Sequence, residues 1–135
     1  MSKTYFGLEI PFLDVLGVEP EFAENGHSRI RLHLRPELLN SFYVAHGGVV
    51  MSILDFAMAA AARSSHEHIL GVITIDMTTS FLRPSKGILI AEGKVLKAGS
   101  TVNYCEGSIF NEAGQLTAKS TGSFMLRRTK SQSEN

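Results

Sequence analysis

The sequence predicts an α+β fold in which an antiparallel β-sheet wraps around one long apolar helix. The helix is indicated by residues 46–62, where two glycines precede a run of almost wholly apolar residues, most of them good helix formers. No polar stripe recurs in this run at helical spacing, so the helix must be covered on nearly every side. The sheet is indicated by residues 70–127, where apolar and alternating runs are separated by short turns. Such strands pair antiparallel and provide the cover that the helix needs.

The chain has 135 residues, which is enough for one domain to bury a core without a disulfide or a metal. We expect that domain to span residues 1–127, and the polar residues 128–135 to form a disordered tail. The single Cys105 excludes an intrachain disulfide and gives no support to a zinc site. Thirteen basic residues balance thirteen acidic ones, so the bulk charge does not indicate a nucleic-acid partner.

Neither apolar segment of the chain indicates a membrane or secreted protein. Residues 1–7 lack the apolar run of a secretion signal. Residues 46–62 are shorter than the roughly 20 apolar residues that span a bilayer, and Asp55 lies in their middle. We therefore expect a cytoplasmic protein with no membrane partner.

Two elements are predicted before the long helix. Pro11 and Gly17 fit the start and end of a helix of about one to two turns that packs an apolar face on the core. Residues 28–35 alternate in polarity and predict a half-buried strand that ends at Pro36. The residues of this strand expected to point inward are Ile30, Leu32 and Leu34.

Four consecutive strands are predicted after the helix, over residues 70–82, 88–97, 101–110 and 116–127. Residues 111–115 have the composition of a hairpin loop between the last two. The alternation in the first of these strands places Ile73, Ile75, Met77, Thr79 and Phe81 on one face and Thr74, Asp76, Thr78 and Ser80 on the other. With the strand before the helix, the prediction is five strands.

Asp55 is the residue at which we expect chemistry. A carboxylate without a partner in apolar surroundings costs several kcal/mol or becomes protonated, so its presence requires a reason. The structural alternative is that Asp55 caps a backbone group or pairs with a buried Arg63. His66 and His68 lie in a polar connection without a third ligand, so we expect no metal site there.

The set formed by Asn40, His46-Gly47-Gly48 and Asp55, followed by the strand 73–77, resembles the hot-dog-fold acyl-CoA thioesterases of the phenylacetate-degradation and THEM type. The similarity covers nearly the whole domain, including residues 95–99. It implies a hot-dog fold and the hydrolysis of an acyl- or aroyl-CoA thioester. It also implies a homodimer or a homotetramer of two dimers, with no cofactor beyond the coenzyme A of the substrate.

The resemblance also implies the roles of individual residues. The Gly47 amide would polarise the thioester carbonyl, at a helix N-terminus whose free donors and dipole suit a developing oxyanion. Asp55 would be the general base or nucleophile, and Thr74 would position the hydrolytic water. Asn40 and His46 would orient the carbonyl end of the site. The alternatives are that His46 is an ordinary helix-start residue, and Asn40 and Thr74 are simple loop and strand residues.

Further residues are expected to bind the remainder of the substrate. Gly48 lacks a side chain and lets the thioester come close. Arg83, Lys86 and Lys97 are the local cations we nominate for the coenzyme A phosphates, although charges at strand ends are usually only solvated. Gly99 is also expected to bind substrate, because it ends residues 95–99, a segment that shares in the resemblance.

The spacing of Gly47 and Asp55 has a consequence for assembly. They are eight residues apart, which is roughly 12 Å along one helix, so one thioester cannot touch both. The two groups can meet only if they come from different chains, which favours a dimer with two sites at its interface. Two other functions are compatible with a hot-dog domain. One is a non-catalytic module that binds acyl-CoA, and the other is a hydratase or dehydratase, whose motif arrangement is absent from the sequence.

Overall fold

A computed structural model describes residues 3–128 as a six-stranded antiparallel sheet curled around one long helix. The strand order is β1-β2-β4-β5-β6-β3, and the predicted fold class is confirmed. The elements in chain order are α1 (Pro11–Leu16), β1 (Glu19–Glu24), β2 (His27–His33), the 3-10 helix Pro36–Leu38, α2 (Gly47–Ser64), β3 (Ile69–Phe81), β4 (Ile88–Ala98), β5 (Val102–Phe110) and β6 (Leu116–Arg128).

The helix α2 forms the centre of the core. Its 18 residues have a mean hydropathy of 1.2, so by length and composition alone it is apolar enough to cross a membrane. In the domain it lies against the sheet instead, and Ile53, Leu54, Ala57 and Met58 have no exposed surface. The sheet buries about half of the helix residues, and others, such as Met51 at 38% exposure, keep open surface. One chain alone therefore does not give the helix the cover on nearly every side that the sequence predicts.

A row of small residues on the sheet allows α2 to approach closely. Ser28, Gly93, Gly107 and Ser120 are direct cross-strand partners on β2, β4, β5 and β6. The Ser28 hydroxyl donates a hydrogen bond to the backbone carbonyl of Ala57 in the middle of α2, at 2.5 Å. A Cβ atom at Gly93 would lie only 2.1 Å from the same carbonyl oxygen. At Gly93 the helix backbone therefore rests on the sheet backbone with no side chain between them.

The strand β1 was not predicted. Within the described part of the chain it is an edge strand whose single partner is β2, and a register shift occurs between Pro20 and Phe22. Proline is tolerated at such an edge because its missing N–H leaves no central ladder bond unmade. The sequence of β1 shows no clean alternation of polarity, which is the signal that identified the other strands.

The expectation that consecutive strands pair was wrong for β3 and β4, because β3 pairs with β6 at the far edge of the sheet. Residues 82–87 cross the intervening strand ends. The N–H groups of Leu82 and Arg83 donate to the carbonyl of Thr117, at 2.9 and 3.1 Å. The buried Ser85 hydroxyl donates to Thr117 Oγ1 at 2.9 Å. Because β6 satisfies these polar groups, six residues suffice for a crossing that resembles a hairpin turn in the sequence.

The predicted alternation of β3 was also wrong, because a β-bulge interrupts it. The register with β6 shifts between Thr74 and Asp76, and a carboxylate oxygen of Asp76 accepts the N–H of Ser123 at 3.1 Å. A bulge inserts one extra residue and reverses the inward–outward phase beyond it. Thr74 contacts α2 before the bulge and Met77 packs on the core after it, although alternation assigned them to opposite faces.

The other boundaries agree closely with prediction. α1 begins at Pro11 and ends before Gly17, which adopts the left-handed conformation. The inward residues of β2 are buried at Ile30 and Leu32. Arg128, which we had placed in the tail, is instead the last residue of β6 and donates to the Ser100 carbonyl. The rest of the expected tail, residues 129–135, lies outside the described residues.

We predict that Gly93→Ala destabilises the domain by about 3 kcal/mol, because its Cβ would force α2 away from β4. The measurement is the free energy of unfolding from urea denaturation. Gly71→Ala in β3 is the matched control, since a Cβ there meets nothing within 4 Å. Equal stability of the two variants would contradict direct backbone contact between α2 and the sheet.

Candidate active site

The N-terminus of α2 presents one free backbone donor. His46 is the N-cap residue, and its Nδ1 accepts the N–H of Gly48 at 2.8 Å. This hydrogen bond leaves Nε2 as the protonated nitrogen of a neutral imidazole. The N–H of Gly47 has no acceptor among residues 3–128. The two glycines therefore differ, because only the Gly47 amide is available to a ligand at the positive end of the helix.

Asn40 shapes the loop that leads into this helix. Its side-chain oxygen accepts the N–H groups of Phe42 and Val44, at 2.9 and 3.3 Å, and its own N–H donates to the Val44 carbonyl. These bonds close a tight turn that contains Tyr43 in a left-handed conformation. The Asn40 side chain therefore makes a loop-forming contact, and its amide nitrogen donates to no group among residues 3–128.

Asp55 and Thr74 are brought together from α2 and β3. The Thr74 hydroxyl donates to a carboxylate oxygen of Asp55 at 2.5 Å. The bulge beyond Thr74 allows this strand residue to face the helix while the chain continues along the sheet. Arg63 does not pair with Asp55. The carboxylate therefore has a hydroxyl partner and no cationic partner among residues 3–128, which leaves it able to accept a proton.

Burial raises the pKa of Asp55 above its ordinary value of 3.8, and the hydrogen bond from Thr74 opposes that rise. Desolvation favours the neutral acid, whereas a donor to the carboxylate favours the ion. A raised pKa brings a carboxylate closer to the range in which a general base accepts and releases protons efficiently. The environment of Asp55 is thus suited to proton transfer.

Asp55 and Thr74 line one part of a cavity of about 720 Å³ between α2, the start of β3 and the N-terminal segment. The walls are mostly apolar. Residues that sequence analysis did not assign to the site form much of the lining, including Ser52, Phe56 and Ala59 of α2. The Ser52 hydroxyl bonds back to the Gly48 carbonyl at 2.7 Å, one helical turn before Asp55. The cavity has the size and lining of a small-molecule site.

The N-terminal segment forms one wall of the cavity. Residues 5–8 make a two-residue hairpin turn in which Phe6 adopts a left-handed conformation with φ of 55°. The Phe6 ring stacks on Phe56 with centroids 6.0 Å apart. Tyr5 is fully buried and donates to Asp14 at 2.6 Å, and burial raises its pKa to about 12. This turn is not among the predicted elements, although Gly7, directly after Tyr5 and Phe6, is a residue typical of turns.

Arg63 lies in the cavity wall near the C-terminal end of α2. Its Nε donates to the Ile69 carbonyl at 3.2 Å and its Nη1 to the Phe6 carbonyl at 2.7 Å. It therefore ties the N-terminal turn to the start of β3. The second of these bonds holds Phe6 in its uncommon backbone conformation.

The predicted substrate-binding residues fall into two groups at opposite ends of β4. Arg83 and Lys86 flank Ser85, whose carbonyl accepts the N–H of Ala45 at 2.9 Å, two residues before Gly47. Lys97 is near the other end of the strand, roughly 30 Å away at about 3.3 Å per residue. Within one chain the structure therefore places only Arg83 and Lys86 near the Gly47 amide.

Both polar backbone groups of Gly99 are engaged. Its N–H donates to the side-chain oxygen of Asn103 at 3.0 Å, and its carbonyl lies 2.9 Å from Nε2 of His66. No group of three or more His, Cys, Asp or Glu side chains that could hold a metal occurs in the described part of the chain. Burial raises the pKa of the Cys105 thiol to about 12, so the thiol stays protonated.

A hot-dog domain with a carboxylate–hydroxyl pair beside an apolar cavity and a free helix-terminal amide belongs to the class of thioester-processing enzymes. The model of the thioesterase superfamily matches residues 42–118, more than half of this chain. The chain belongs to the thioesterase superfamily, as its resemblance indicated. Membership gives it a hydrolase role of the thioesterase or esterase kind.

Individual relatives agree with this membership. A Halobacterium salinarum protein named “Putative esterase” is 35% identical, with 86% of this chain and 84% of the relative covered. The PaaI protein from the phenylacetic acid degradation operon of E. coli has a TM-score of 0.80 at 24% identity, covering 87% of this chain and 84% of that one. A Streptococcus mutans structure described as bound to acetyl CoA has a TM-score of 0.76 at 21% identity, covering 83% and 90%. These two structures show the similarity of fold.

We predict that Asp55→Asn raises the melting temperature at pH 7 and leaves it nearly unchanged at pH 3. The folded-state pKa of Asp55 is raised, so its protonated form stabilises the fold and that stability is lost as pH rises through the folded pKa. Asparagine keeps an acceptor for Thr74 and does not titrate. The measurement is thermal unfolding across pH, with the exposed Glu24→Gln as control; a variant that is less stable at pH 7 would contradict the desolvation of Asp55.

Proposed function

We propose that this chain is an acyl-CoA thioesterase that hydrolyses an acyl- or aroyl-CoA to the free acid and coenzyme A. The observation that carries the proposal is the Asp55–Thr74 pair in the wall of an apolar cavity. Binding an acyl group needs only an apolar wall, and a desolvated carboxylate in that wall is unfavourable unless it takes part in a reaction. A proton-transfer group beside a pocket for an acyl group has the arrangement that thioester hydrolysis requires.

In the proposed reaction Asp55 removes a proton from a water held beside Thr74, and the water oxygen attacks the thioester carbonyl carbon. The resulting oxyanion accepts a hydrogen bond from the N–H of Gly47. Collapse of the intermediate breaks the carbon–sulfur bond, and the coenzyme A thiolate takes the proton from Asp55. Alternatively the carboxylate attacks the carbonyl directly, and water then hydrolyses the mixed anhydride. Neither route needs a cofactor beyond the substrate's own coenzyme A.

We propose that each site is completed by a second copy of the chain, because Gly47 and Asp55 lie on the same helix, roughly 12 Å apart. The outer edge of β3, which pairs with no strand among residues 3–128, supports a homodimer. Ile75 and Phe81 on this strand are 53% and 55% exposed, and Phe42 and Tyr43 in the loop before α2 are each 81% exposed. An unpaired edge with exposed apolar side chains favours pairing with another copy. A tetramer would join two such dimers.

We assign the coenzyme A phosphates to Arg83 and Lys86 rather than to Lys97. Their loop contacts the segment that leads into α2, so both cations lie on the side of the Gly47 amide. His46 would orient the thioester carbonyl through its free Nε2–H. The S. mutans relative described as bound to acetyl CoA supports the idea that this fold can hold a coenzyme A thioester.

We predict that Asp55→Asn lowers kcat by about 10²- to 10⁴-fold while the dissociation constant of the thioester stays within about threefold. The amide keeps the shape and the acceptor for Thr74 but cannot act as base or nucleophile. Release of free thiol from a panel of acyl-CoA thioesters measures turnover, and calorimetry measures binding. Glu24→Gln is the matched acid-to-amide control on the surface. Near wild-type turnover of the Asp55 variant would remove the catalytic assignment and leave a binding module.

Mixing two inactive variants tests whether the site is shared between chains. Gly47→Val blocks close approach of the thioester at one half-site, and Asp55→Asn removes the base at the other. Random pairing makes about half of the dimers mixed, each with one intact site, so activity recovers to roughly a quarter of wild type. A Cβ at Gly47 meets Phe81 at an ordinary 3.6 Å, so the variant is expected to fold.

Each variant alone must be folded and inactive, and mass spectrometry must show that subunits have exchanged. A mixture that exchanges but stays inactive would show that Gly47 and Asp55 do not serve one site from two chains. An active monomer in sedimentation would lead to the same conclusion.

A further inference from the structure

The cavity that contains Asp55 has a polar far end. Asp55 is the only acidic side chain among its lining residues in the described part of the chain. Toward the C-terminal end of α2 the apolar walls give way to Arg63, Ser64, His66 and His68. Ser64 is satisfied by the Ala61 carbonyl and the Gly26 N–H. His66 Nε2 lies 2.9 Å from the Gly99 carbonyl, so the groups left for a ligand are the His68 imidazole and the Arg63 guanidinium.

Arg63 has a charge that nothing in the described residues neutralises. Two of its nitrogens donate to backbone carbonyls, of Ile69 and Phe6, and no carboxylate of residues 3–128 lies within 4.0 Å of it. Nη2 donates to no group in that range. Backbone carbonyls orient a guanidinium but do not cancel its charge, and the N–H groups of Nη2 suit a carboxylate oxygen. Glu67, the neighbouring acid, is 95% exposed and instead lies 3.9 Å from His68.

The positions of Asp55, Ala59 and Arg63 define a path along one face of α2. They are spaced by four residues and all three line the cavity. The first and last are roughly 12 Å apart along the helix axis. An extended chain covers about 3.5 Å per three bonds, and each polar contact adds about 3 Å, so an acyl group of about six carbons spans the path.

We propose that the cavity selects thioesters whose acyl group ends in a carboxylate, and that Arg63 binds this distal carboxylate through its Nη2 N–H groups. Ala59 and Phe56 contact the methylene chain, and Asp55 remains at the thioester end. This substrate class rests on the proposed thioesterase function and extends it. Arg63 is then a specificity residue with two tasks, since it also fastens the N-terminal turn that closes the cavity.

The test compares adipoyl-CoA with hexanoyl-CoA, which have the same chain length and differ in the terminal carboxylate. The wild-type protein is expected to favour adipoyl-CoA by about tenfold or more in kcat/KM, mostly through KM. Arg63→Met retains the length of the side chain without the charge and is expected to abolish that preference. Because Arg63→Met also removes the hydrogen bond to Phe6, hexanoyl-CoA hydrolysis is expected to fall as well, and the adipoyl-CoA rate is expected to fall about tenfold further. Arg31→Met, on β2 and paired with Glu21, is the matched control and should change neither rate.

The outcomes separate this proposal from a purely structural role of Arg63 and from the proposed function. Loss of the anchor to Phe6 alone would lower both rates equally in Arg63→Met, and this result would overturn the proposal. Hydrolysis of both thioesters without a wild-type preference would also overturn it while leaving the thioesterase function intact. If an aroyl-CoA is hydrolysed and neither of these two thioesters is, the proposed substrate class fails and the thioesterase function stands. If no thioester of the wider panel is hydrolysed, the proposed function fails. Calorimetry with the same thioesters and variants then tests the substrate class. The proposal requires that adipoyl-CoA bind about tenfold more tightly than hexanoyl-CoA, and that Arg63→Met abolish this difference.

Discussion

The contact between α2 and the row Ser28–Gly93–Gly107–Ser120 is the constraint on which the rest of the structure depends. Because these residues are small, the helix backbone approaches the sheet until the Ala57 carbonyl bonds to the Ser28 hydroxyl. That contact lies within one turn of Asp55 and fixes the depth and rotation of the helix. The cavity beside the helix, the direction of the Asp55 carboxylate and the exposure of the Gly47 amide all follow from this one position.

The bulge in β3 connects the sheet to the proposed chemistry. Without it, the inward phase set by Met77 would turn Thr74 away from α2. Asp76 stabilises the bulge by accepting the Ser123 N–H, so two polar residues of one strand have different tasks. Asp76 maintains the irregular backbone, and Thr74 uses it to reach Asp55. The same strand forms the free edge on which we propose the second copy docks, so the site and the proposed interface are parts of one element.

Two features of the cavity lower the stability of the fold and lie where we propose that the substrate binds. Burial makes the ionised form of Asp55 unfavourable, and Phe6 occupies a backbone conformation that non-glycine residues adopt rarely. Both costs are partly offset by a single hydrogen bond, from Thr74 in one case and from Arg63 in the other. Such concentrations of local strain and desolvation are typical of functional sites, because the fold elsewhere is stable enough to retain them.

The sequence by itself determined the fold class, the central helix, the short helix between Pro11 and Gly17, and the eight-residue separation of Gly47 and Asp55. Each of these depends on local periodicity or on composition along one segment. The tertiary structure alone decided that β3 pairs with β6, that β1 is a strand, and that Thr74 faces Asp55. Partner choice depends on hydrogen bonds made by residues 82–87 to Thr117, and the direction of Thr74 depends on a register shift between two strands. The polarity of a single strand predicts neither the partner of β3 nor the direction of Thr74, because both depend on contacts with residues distant in the chain.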